Sequence, residues 1–478
     1  MRMVRDESCG SILHCDSPSL SDRINGGIDM RFKEKKVLVF GSGISGVSAA
    51  ALLLQEGAEV VLYDGNEKLD ASEIKEQIEG QADGIVSVVL GTFPEEILAK
   101  LDLVVMSPGV PTDLPVVDQM RDAGIPVWGE IELAYVLGKG DVLAITGTNG
   151  KTTTTALLGA IMKNYRESTF VVGNIGNPYT SIVPETKEDS VIVAEMSSFQ
   201  LETIHTFRPK VSAILNITPD HLNRHHTMEA YIEAKEQIAR NQTEEDVCVL
   251  NYEDDVTRNF GEKVKAKVLY FSSRRSLENG IYLEDGNIIY CHEKICHVDE
   301  LKLLGMHNYE NVMAAVAMAA AYKVPLEIIR RTIREFTAVE HRIEFVAEKN
   351  GVAYYNDSKG TNPDAAIKGI QAMNRPTILI GGGYDKDSSY EEWIRSFDGK
   401  VKKLVLLGAT KEKINETAKR LGFTDTILTD TFEEAVHTCV KLAEPGDAVL
   451  LSPACASWGM FKNYEERGDK FKELVNQL

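Results

Sequence analysis

The residues with the clearest chemistry form the run Ile145-Thr-Gly-Thr-Asn-Gly-Lys151-Thr-Thr-Thr-Thr155, which ends an apolar segment that starts at residue 142. The pattern predicts a strand, a glycine turn and a helix that begins near Lys151. Backbone N–H groups of such a turn bind phosphate together with the helix dipole. Lys151 can reach the β- and γ-phosphate oxygens, and the Thr152 hydroxyl can bind Mg²⁺. Although Ile145 stands where the long phosphate loop usually begins with glycine, the run predicts a site that binds and consumes ATP.

Two further apolar segments lead to polar residues that could serve the same site. Segment 191–194 is followed by Glu195, which could hold Mg²⁺ beside the phosphate strand or could be a solvated loop acid; we favour the metal. Segment 211–215 leads to Asp220, His221 and two more histidines. Zinc sites usually have helical spacing or cysteine partners, which this run lacks, so we expect a polar turn over the phosphates.

Lys235 interrupts the apolar stripe of a predicted helix over residues 227–241, which Thr227 can cap. The stripe consists of five apolar residues: Met228, Tyr231, Ile232, Ile238 and Ala239. The lysine could extend to the rim of this face, or it could be buried with a lowered pKa and react as a neutral amine. The periodicity favours neither alternative.

Polar pairs recur in the second half of the chain. Asn308 and Asn311 share one helix face, where their amides could bind an adenine edge or cap the helix. Three loops could bind carboxylate or phosphate, or could be surface charge: His341-Arg342, Asp357 to Asn362 and Asp385-Lys386. The run from Cys291 to His297 has two residues too many for haem attachment, and we expect no metal there.

A second glycine turn lies near the start of the chain. Gly41-Ser-Gly-Ile-Ser-Gly46 follows an apolar segment and precedes a helix, and the next segment, 59–64, ends in Asp64. This is the dinucleotide fingerprint of a doubly wound fold, and the same turn accepts any nucleotide diphosphate. Segment 103–106 then ends at Ser107-Pro-Gly109, on the edge where ligands of such folds bind.

Strands alternate with helices along the whole chain, which predicts an α/β fold of three consecutive domains. We expect a Rossmann-like N-terminal domain over residues 30–128, a P-loop-type central ATPase domain over 129–337 and a Rossmann-like C-terminal domain over 338–478. The expected central strands are 142–145, 191–194, 211–215, 247–250 and 268–271, with a hairpin at 281–290. The expected C-terminal strands are 352–355, 377–380, 404–407 and 448–451.

Length and composition limit the class of protein. A chain of 478 residues is long enough for about three domains, and its net charge of −20 argues against nucleic acid or an anionic membrane as partner. Seven irregularly spaced cysteines predict a reducing cytoplasm rather than a disulfide framework. Residues 1–29 lack periodicity and the apolar core of a secretory signal, so we predict a disordered leader whose deletion leaves activity intact.

Five stretches together resemble the Mur ligase family of ATP-dependent amide-forming enzymes, over about residues 30–478. They are Thr146 to Thr152, Glu195-Met-Ser-Ser-Phe-Gln200, Asp220-His221, His307-Asn308-x-x-Asn311 and His341-Arg342. Asn356 to Asn362 and Leu451 to Tyr464 are most similar to the D-glutamate-adding members. The resemblance therefore implies a cytoplasmic, monomeric enzyme that joins D-glutamate to UDP-N-acetylmuramoyl-L-alanine. That step belongs to peptidoglycan synthesis and hence to cell-wall biogenesis, cell shape and the division cycle.

The resemblance also implies roles for individual positions. The UDP-substrate would contact Ile44, Ser45, Asp64, Gly109 and Asn174. ATP would contact Gly147, Thr148, Asn149, Gly150, Lys151, Thr152, Thr153, Asn308, Asn311, Arg342 and Asp357. D-Glutamate would contact Thr361, Lys386, Ser457, Trp458 and Tyr464. The catalytic residues would be Lys151, Glu195, His221 and Lys235. Two Mg²⁺ ions would be held by Thr152, Glu195, His221 and a carbamylated Lys235.

The implied reaction transfers the γ-phosphoryl group of ATP to the substrate carboxylate, because an acyl phosphate, unlike a carboxylate, has a good leaving group. The amine of D-glutamate then attacks, and it must be neutral; we assign no base, because a metal-bound His221 would be a poor one. Alternatives are another Mur-type or a folylpolyglutamate-type ligase, an NAD-dependent oxidoreductase, and a nucleotide switch that hydrolyses ATP without an amino acid.

Overall fold

Three α/β sheets follow one another along the chain. The computed structural model describes residues 32–174, 177–337, 340–386 and 388–478, without the side chain of Asn223. The predicted leader, residues 1–29, lies outside the described residues. The chain forms two compact units: one extends to Cys296 and includes Asn311–Thr332, and the other comprises His297–Glu310 and Ile333–Leu478. Within the described ranges, no helix has both the length and the apolar composition that crossing a membrane requires.

Five parallel strands form the first sheet: β1 (Lys36–Phe40), β2 (Glu59–Asp64), β3 (Val86–Leu90), β4 (Leu103–Met106) and β5 (Val127–Gly129). Their order is β3-β2-β1-β4-β5, so the strand order switches direction between β1 and β4, and a crevice opens there at the carboxyl ends of the strands. The helices are α1 (Ile44–Gln55), α2 (Ala71–Glu79), α3 (Pro115–Asp122) and α4 (Glu130–Leu137), with a 3₁₀ helix at Glu95–Lys100. β3 and β5 are absent from the predicted strands, because β3 is a half-exposed edge and β5 has only three residues.

The second sheet has nine strands: β6 (Asp141–Thr146), β7 (Thr169–Gly173), β8 (Val191–Glu195), β9 (Val211–Ile214), β10 (Val247–Asn251), β11 (Lys267–Ser272), β12 (Gly280–Glu284), β13 (Asn287–Tyr290) and β14 (Glu293–His297). Their order is β14-β13-β12-β11-β10-β9-β6-β8-β7. The phosphate strand β6 therefore lies between β8 and β9, whose carboxyl ends carry the other predicted site residues. β12 and β13 pair antiparallel around Gly286, as predicted.

The helices of this region are α5 (Lys151–Lys163), α6 (Tyr179–Ile182), α7 (Ser198–Leu201), α8 (Leu222–His225), α9 (Met228–Glu236), α10 (Asp255–Gly261), α11 (Met306–Ala321) and α12 (Leu326–Glu335). Short 3₁₀ helices span Val183–Glu185, Gln237–Ala239 and Val298–Glu300. The Thr227 hydroxyl accepts a hydrogen bond from Ala230 N, 3.1 Å away, so the predicted cap of α9 is confirmed.

The third sheet has six strands: β15 (Glu344–Lys349), β16 (Val352–Asn356), β17 (Thr377–Gly381), β18 (Val401–Leu406), β19 (Thr426–Leu428) and β20 (Ala448–Leu451). Their order is β15-β16-β20-β17-β18-β19, with only β15 antiparallel to its neighbour. The helices are α13 (Pro363–Ala372), α14 (Glu391–Arg395), α15 (Lys411–Arg420), α16 (Phe432–Leu442) and α17 (Tyr464–Asn476). β18 begins and ends earlier than the predicted 404–407, because its first half contains two lysines that hide the apolar pattern.

The first two sheets share one hydrophobic core, which runs without interruption from β1 through α4 to β10. Buried polar contacts reinforce it: the Glu130 carboxylate accepts a hydrogen bond from Thr180 N at 2.6 Å, and Thr180 Oγ1 lies 2.8 Å from Ser48 Oγ. The Glu132 carboxylate accepts bonds from the N–H groups of Thr206 and Phe207. Two of the three predicted domains thus form a single compact unit, and the boundaries near residues 128 and 337 stay predictions.

Candidate active site

A cleft of about 1070 Å³ opens at the carboxyl end of the first sheet. The five residues predicted to contact the UDP-substrate all line it: Ile44, Ser45, Asp64, Gly109 and Asn174. Gly173, Asn174 and Gln200 come from the region of the second sheet, so both sheets of the first unit contribute to the cleft. Ile44 is 78% exposed, which is unusual for a large apolar side chain and leaves its surface free for a ligand.

The glycine turn of this cleft is held by Asp64. One carboxylate oxygen accepts hydrogen bonds from Ser42 N at 2.9 Å and Ser42 Oγ at 2.7 Å, and the other accepts one from Asn66 N. Burial alone would raise the pKa of Asp64, but these hydrogen bonds outweigh it and hold the pKa below its usual value. Gly46 permits the tight turn, because a Cβ there would lie 1.8 Å from Gly41 O. Asp64 therefore stabilises the glycine turn, whereas the acid at the corresponding position of nicotinamide enzymes binds the ribose of the cofactor.

The phosphate loop connects β6 to α5 as the sequence predicted. Gly150 adopts a φ of 86° at the N-terminus of α5, and a Cβ there would lie 2.1 Å from Asn311 Oδ1. The Lys151 ammonium donates hydrogen bonds to Gly147 O at 2.9 Å and Thr148 O at 3.0 Å. The predicted residues Gly147 to Thr153 therefore form one loop and helix start, with Asn311 packed against it.

Asn216, to which no role was assigned, clamps this loop. Its amide oxygen accepts a hydrogen bond from Asn149 N at 2.9 Å, and its amide nitrogen donates one to Asn149 O at 3.1 Å. Asn216 comes just after β9, a neighbour of β6. A polar residue after a buried strand is the signal that singled out Glu195, and it would have identified Asn216 too.

Glu195 ends β8, in register with Ile145 of β6, and is 1% exposed. Its Oε1 accepts a hydrogen bond from Asn174 Nδ2 at 2.9 Å, whereas Oε2 is buried without a hydrogen-bond partner among the described residues. The alternative of a solvated loop acid is therefore wrong. A buried, half-satisfied carboxylate is costly unless a cation compensates it.

Lys235 is buried, with 2% of its surface exposed, so the alternative of a lysine at the rim is wrong. Its ammonium donates to Gly147 O at 2.8 Å and lies 4.7 Å from the centre of the Tyr231 ring. Burial first, and then the charge of Lys151, lower the pKa of Lys235 to about 7, although Asp220 and Glu195 act in the opposite direction. Near neutral pH, a large share of this lysine is therefore an unprotonated amine.

These residues fit the Mg²⁺ that the resemblance implies. The unpartnered oxygen of Glu195 is a hard donor of the kind that Mg²⁺ prefers, and the Thr152 hydroxyl stands on the same phosphate loop. His221 adopts a φ of 52°, and its side chain is half exposed. In the part of the chain that the structure describes, no three His, Cys, Asp or Glu side chains converge on a ready metal cage. Mg²⁺ usually keeps several waters and takes one or two protein ligands, so it does not require such a cage.

The Nε2 atoms of the three histidines each have a different polar neighbour. His221 Nε2 lies 3.5 Å from Asp220, His226 Nε2 lies 3.3 Å from Asp113, and His225 Nε2 lies 2.9 Å from Ser198 Oγ. Each of the three rings therefore has its own polar neighbour, and the role of the turn stays a prediction.

In the second unit, the predicted ATP contact Asp357 is buried, and the predicted contact Arg342 acts on it electrostatically. Asp357 accepts hydrogen bonds from Ser452 Oγ at 2.7 Å and from Ile343 N at 3.3 Å. Burial raises the pKa of Asp357 to about 7, and the Ser452 bond and the Arg342 charge offset this only in part. Arg342 Nε is buried without a hydrogen-bond partner in the described ranges. The Asn308 amide donates to Leu304 O at 2.8 Å, which leaves its role open between capping and adenine binding.

The residues predicted to contact D-glutamate lie in loops that follow strands of the third sheet or at the start of a helix. Two of them, Lys386 and Trp458, are in contact. The Lys386 ammonium lies 4.5 Å from the Trp458 ring, which is 52% exposed. Tyr464 opens α17, and its ring lies 5.3 Å from the Lys359 ammonium. Ser457 is buried, and Thr361 precedes α13.

Arg467, which no sequence argument identified, ties two of these loops together. It is 1% exposed and donates to Ser358 Oγ, Ser358 O and Cys455 O at 2.9, 2.7 and 3.2 Å. Burial lowers the pKa of Arg467 to about 10. The available signal was an arginine within an apolar helix face, the pattern that pointed to Lys235.

Known proteins match this chain along most of its length. The Mur ligase MurD-like N-terminal domain matches residues 35–129, the Mur ligase middle domain 145–319, and the Mur ligase glutamate ligase domain 341–455. The UDP-N-acetylmuramoylalanine--D-glutamate ligase of Lachnoclostridium phytofermentans is 59% identical over 94% of this chain and 99% of its own length. The chain belongs to the Mur ligase family. As a family member it is an ATP-dependent amide-forming ligase, which leaves the oxidoreductase and nucleotide-switch alternatives without support.

Further relatives of this Mur ligase agree. The enzyme of the same name from Lachnospira eligens is 57% identical, over 94% of this chain and its entire length. Among solved structures, UDP-N-acetylmuramate-alanine ligase from Thermotoga maritima is similar with a TM-score of 0.56 and 20% identity, over 93% of this chain and 99% of its own. That likeness concerns the fold, and it confirms the predicted α/β architecture. The roles of individual site residues stay predictions.

Proposed function

We propose that this Mur ligase joins D-glutamate to UDP-N-acetylmuramoyl-L-alanine, with ATP converted to ADP and phosphate, in the cytoplasmic synthesis of peptidoglycan precursors. Support comes from two relatives that are 57–59% identical to this chain over nearly their full length. Both are named UDP-N-acetylmuramoylalanine--D-glutamate ligase. The motifs from Asn356 to Asn362 and from Leu451 to Tyr464 support the same amino acid.

One contact carries the proposal. Asn174 lines the nucleotide cleft and donates a hydrogen bond to Glu195, at the end of the strand next to the phosphate strand. The cleft for a UDP-linked substrate and the loop for ATP phosphates therefore adjoin each other within one unit. A carboxylate at the far end of a substrate held by its UDP group would point toward the γ-phosphate. This is the placement that acyl phosphate formation requires.

In the proposed mechanism, the chain supplies position and charge. The N–H groups of Gly147 to Thr152 and the dipole of α5 bind the phosphates, and Lys151 exchanges its bonds to loop carbonyls for phosphate oxygens. Mg²⁺ would be held by Glu195, Thr152 and His221 and would neutralise charge on the transferring phosphoryl group. Asn174 would orient the muramoyl-alanine end of the substrate.

Lys235 would act as a carbamate. Its ammonium first loses one proton. The neutral amine then attacks CO₂, an N–C bond forms as one C=O π bond of CO₂ opens, and a second proton is released, so the side chain changes overall from a cation to an anion. The surroundings favour this reaction, because a pKa of about 7 leaves amine available. A carbamate beside Glu195 would add a second negative oxygen ligand for Mg²⁺.

D-Glutamate would bind to loops of the second unit through Thr361, Lys386, Ser457, Trp458 and Tyr464. The Lys386 ammonium suits a carboxylate, and its contact with the Trp458 ring limits its rotamers. The Lys386 cation also provides local positive charge by which a protein with a net charge of −20 could accept an anionic amino acid.

The experiment is phosphate release from ATP in the presence of UDP-N-acetylmuramoyl-L-alanine, with D-glutamate, L-glutamate, L-lysine or no amino acid. We expect release only with D-glutamate, together with a product larger by one glutamyl residue in mass spectrometry. Release with another amino acid would retain the ligase chemistry and change the substrate. Release without any amino acid, or none under all four conditions, would contradict the proposal.

A further inference from the structure

A group of side chains joins the nucleotide cleft to the turn that carries His221. The Glu202 carboxylate accepts hydrogen bonds from Thr112 Oγ1 at 3.0 Å and from Arg224 Nη2 at 2.9 Å, and its other oxygen lies 3.3 Å from His225 Nδ1. Arg224 Nη2 also donates to Val110 O, 3.1 Å away, in the loop that lines the cleft. This pair therefore connects the cleft loop to α8.

From Arg224 the contacts continue to His221 through an aromatic ring. The Arg224 guanidinium lies over the Phe199 ring at 4.9 Å, and the His221 ring meets the same ring edge-on at 5.0 Å. His221 also has the left-handed backbone conformation, with a φ of 52°. A histidine in that conformation depends on its surroundings to stay there, and Phe199 is the neighbour that limits its ring.

A second branch runs from Glu202 to the phosphate loop. The His225 ring lies 5.2 Å from the Tyr231 ring, and Tyr231 Oη lies 3.0 Å from Thr148 Oγ1. The Lys235 ammonium lies over the same Tyr231 ring. The two branches therefore reach the predicted metal ligand His221 and the predicted ATP contact Thr148.

Burial distinguishes this pair from ordinary surface ion pairs. The side chains of Arg224 and Glu202 are 12% and 16% exposed, so water and salt screen their attraction only weakly. Neither residue contacts a substrate in the mechanism above. We propose that Glu202 and Arg224 are positioning residues that couple the filling of the nucleotide cleft to the arrangement of His221 and the phosphate loop. The identity of the two ligands rests on the proposed function.

The test measures binding of Mg²⁺ and the ATP analogue adenylyl imidodiphosphate by calorimetry, with and without saturating UDP. In the parent protein we expect UDP to tighten binding of the ATP analogue by about fivefold or more, within the usual range for coupled sites. In Glu202→Gln and Arg224→Lys we expect this factor to fall below about twofold. The midpoint of thermal unfolding is recorded for each protein.

Arg208→Lys is the matched control. Arg208 forms a partly buried ion pair with Asp246 at 2.6 Å in the same unit, and it contacts none of the side chains that connect Glu202 to His221 and Thr148. Arg208→Lys should therefore lower the midpoint of thermal unfolding about as much as Arg224→Lys does, while the effect of UDP on binding of the ATP analogue stays at the parent value. Thr112 supplies a milder pair of variants: Thr112→Val loses the hydroxyl that donates to Glu202 and should weaken the coupling, whereas Thr112→Ser should keep it.

Equal coupling in the parent and in both charged-pair variants would overturn the proposal, and so would a parent in which UDP has no effect on the ATP analogue. The calorimetric experiment contains no amino acid. Its result would therefore be the same even if the enzyme used an amino acid other than D-glutamate. Conversely, normal D-glutamate turnover with no difference in coupling would overturn the positioning role alone.

Discussion

At the scale of single residues, the site depends on charged groups that burial has shifted from their ordinary state. Burial penalises charge, so it lowers the pKa of Lys235 to about 7 and raises that of Asp357 to about 7. Glu195, in register with Ile145 of the phosphate strand, has one carboxylate oxygen without a hydrogen-bond partner in the part of the chain that the structure describes. Buried groups of this kind cost stability, and proteins usually retain them where a ligand or a reaction uses them.

Lys235→Ala tests the most unusual of these residues. We expect turnover to fall by at least about 100-fold, as when an enzyme loses one group that stabilises transition-state charge. Short carboxylic acids such as acetate should restore part of the rate, because they can place an anion in the space that the side chain leaves. The measurement is the steady-state rate with and without added acid.

Lys235→Arg is the control for charge alone: it stays cationic and cannot form a carbamate, so it should be inactive and unresponsive to acid. In the parent, protonation of the amine opposes carbamate formation. Activity should therefore decline as pH falls through about 7, and bicarbonate should shift that decline to lower pH. Full activity of Lys235→Ala would make the residue a packing element.

At the scale of elements, the loops that follow the strands are held by backbone features that the side-chain pattern hides. Ile343 has a φ of 48°, which is unfavourable for a β-branched residue, and its N–H donates to Asp357. His341, two residues earlier, has a φ of 63°. The segment beside Arg342 is thus held in a strained shape by its surroundings.

A pair of variants isolates this strain. Ile343→Ala and Ile343→Gly lose similar buried surface, but glycine tolerates positive φ whereas alanine does not. The glycine variant should therefore be more stable than the alanine variant by about 1 kcal/mol, the reverse of the usual order. Urea unfolding measures the difference. An alanine variant that equals or exceeds the glycine variant would show that this segment carries no backbone strain.

Glu130, at the start of α4, gives a prediction for pH. Its carboxylate is 1% exposed, and burial raises its pKa from 4.5 to about 6 despite hydrogen bonds from Thr180. The folded protein therefore binds this proton more tightly than the unfolded chain. The stability that the proton contributes is fully present below about pH 4.5 and is lost as pH rises through about 6.

The comparison is between the parent and Glu130→Gln, which cannot ionise. Between those two pH values the parent should lose about 2 kcal/mol of unfolding free energy relative to the variant. Chemical unfolding at several pH values gives the difference. Parallel stability curves would mean that Glu130 has the same pKa in the folded and unfolded states.

At the scale of the whole molecule, the chain combines three sheets in two compact units. The first two sheets share a core, and α4 contributes Ile131, Leu133 and Ala134 to it with at most 1% exposure. This joint core fixes the nucleotide cleft against the phosphate loop, because it includes Ala194 and Met196, the two chain neighbours of Glu195.

A fragment experiment tests the shared core. Residues 32–137 alone would expose the buried faces of α1 and α4, so this fragment should show no cooperative thermal transition by circular dichroism. Residues 32–332 contain both sheets and should unfold cooperatively and bind UDP. A cooperative transition in the shorter fragment would mean that the first sheet has an independent core.

Much of the fold was predictable, because buried parallel strands are continuous apolar runs and the glycine turns after them are distinctive. The segments that became β1, β2, β4, β6, β8 and β9 carry this signal. β3 and β19 do not, since edge strands are half exposed and their apolar pattern is diluted. Within the site, Glu195 was predicted because it ends a strand, whereas Glu202 lies at the end of a short helix, where a charged residue is ordinarily on the surface.

The sequence by itself determined the α/β architecture, the phosphate loop and the family, because these depend on local spacing and on backbone conformations that few residues allow. The tertiary structure decided that Lys235 is buried, that Glu195 Oε2 has no hydrogen-bond partner among the described residues, and that Glu202 and Arg224 connect two loops more than a hundred residues apart. Burial and hydrogen bonding depend on which segments pack together, and periodicity along one segment does not contain that information.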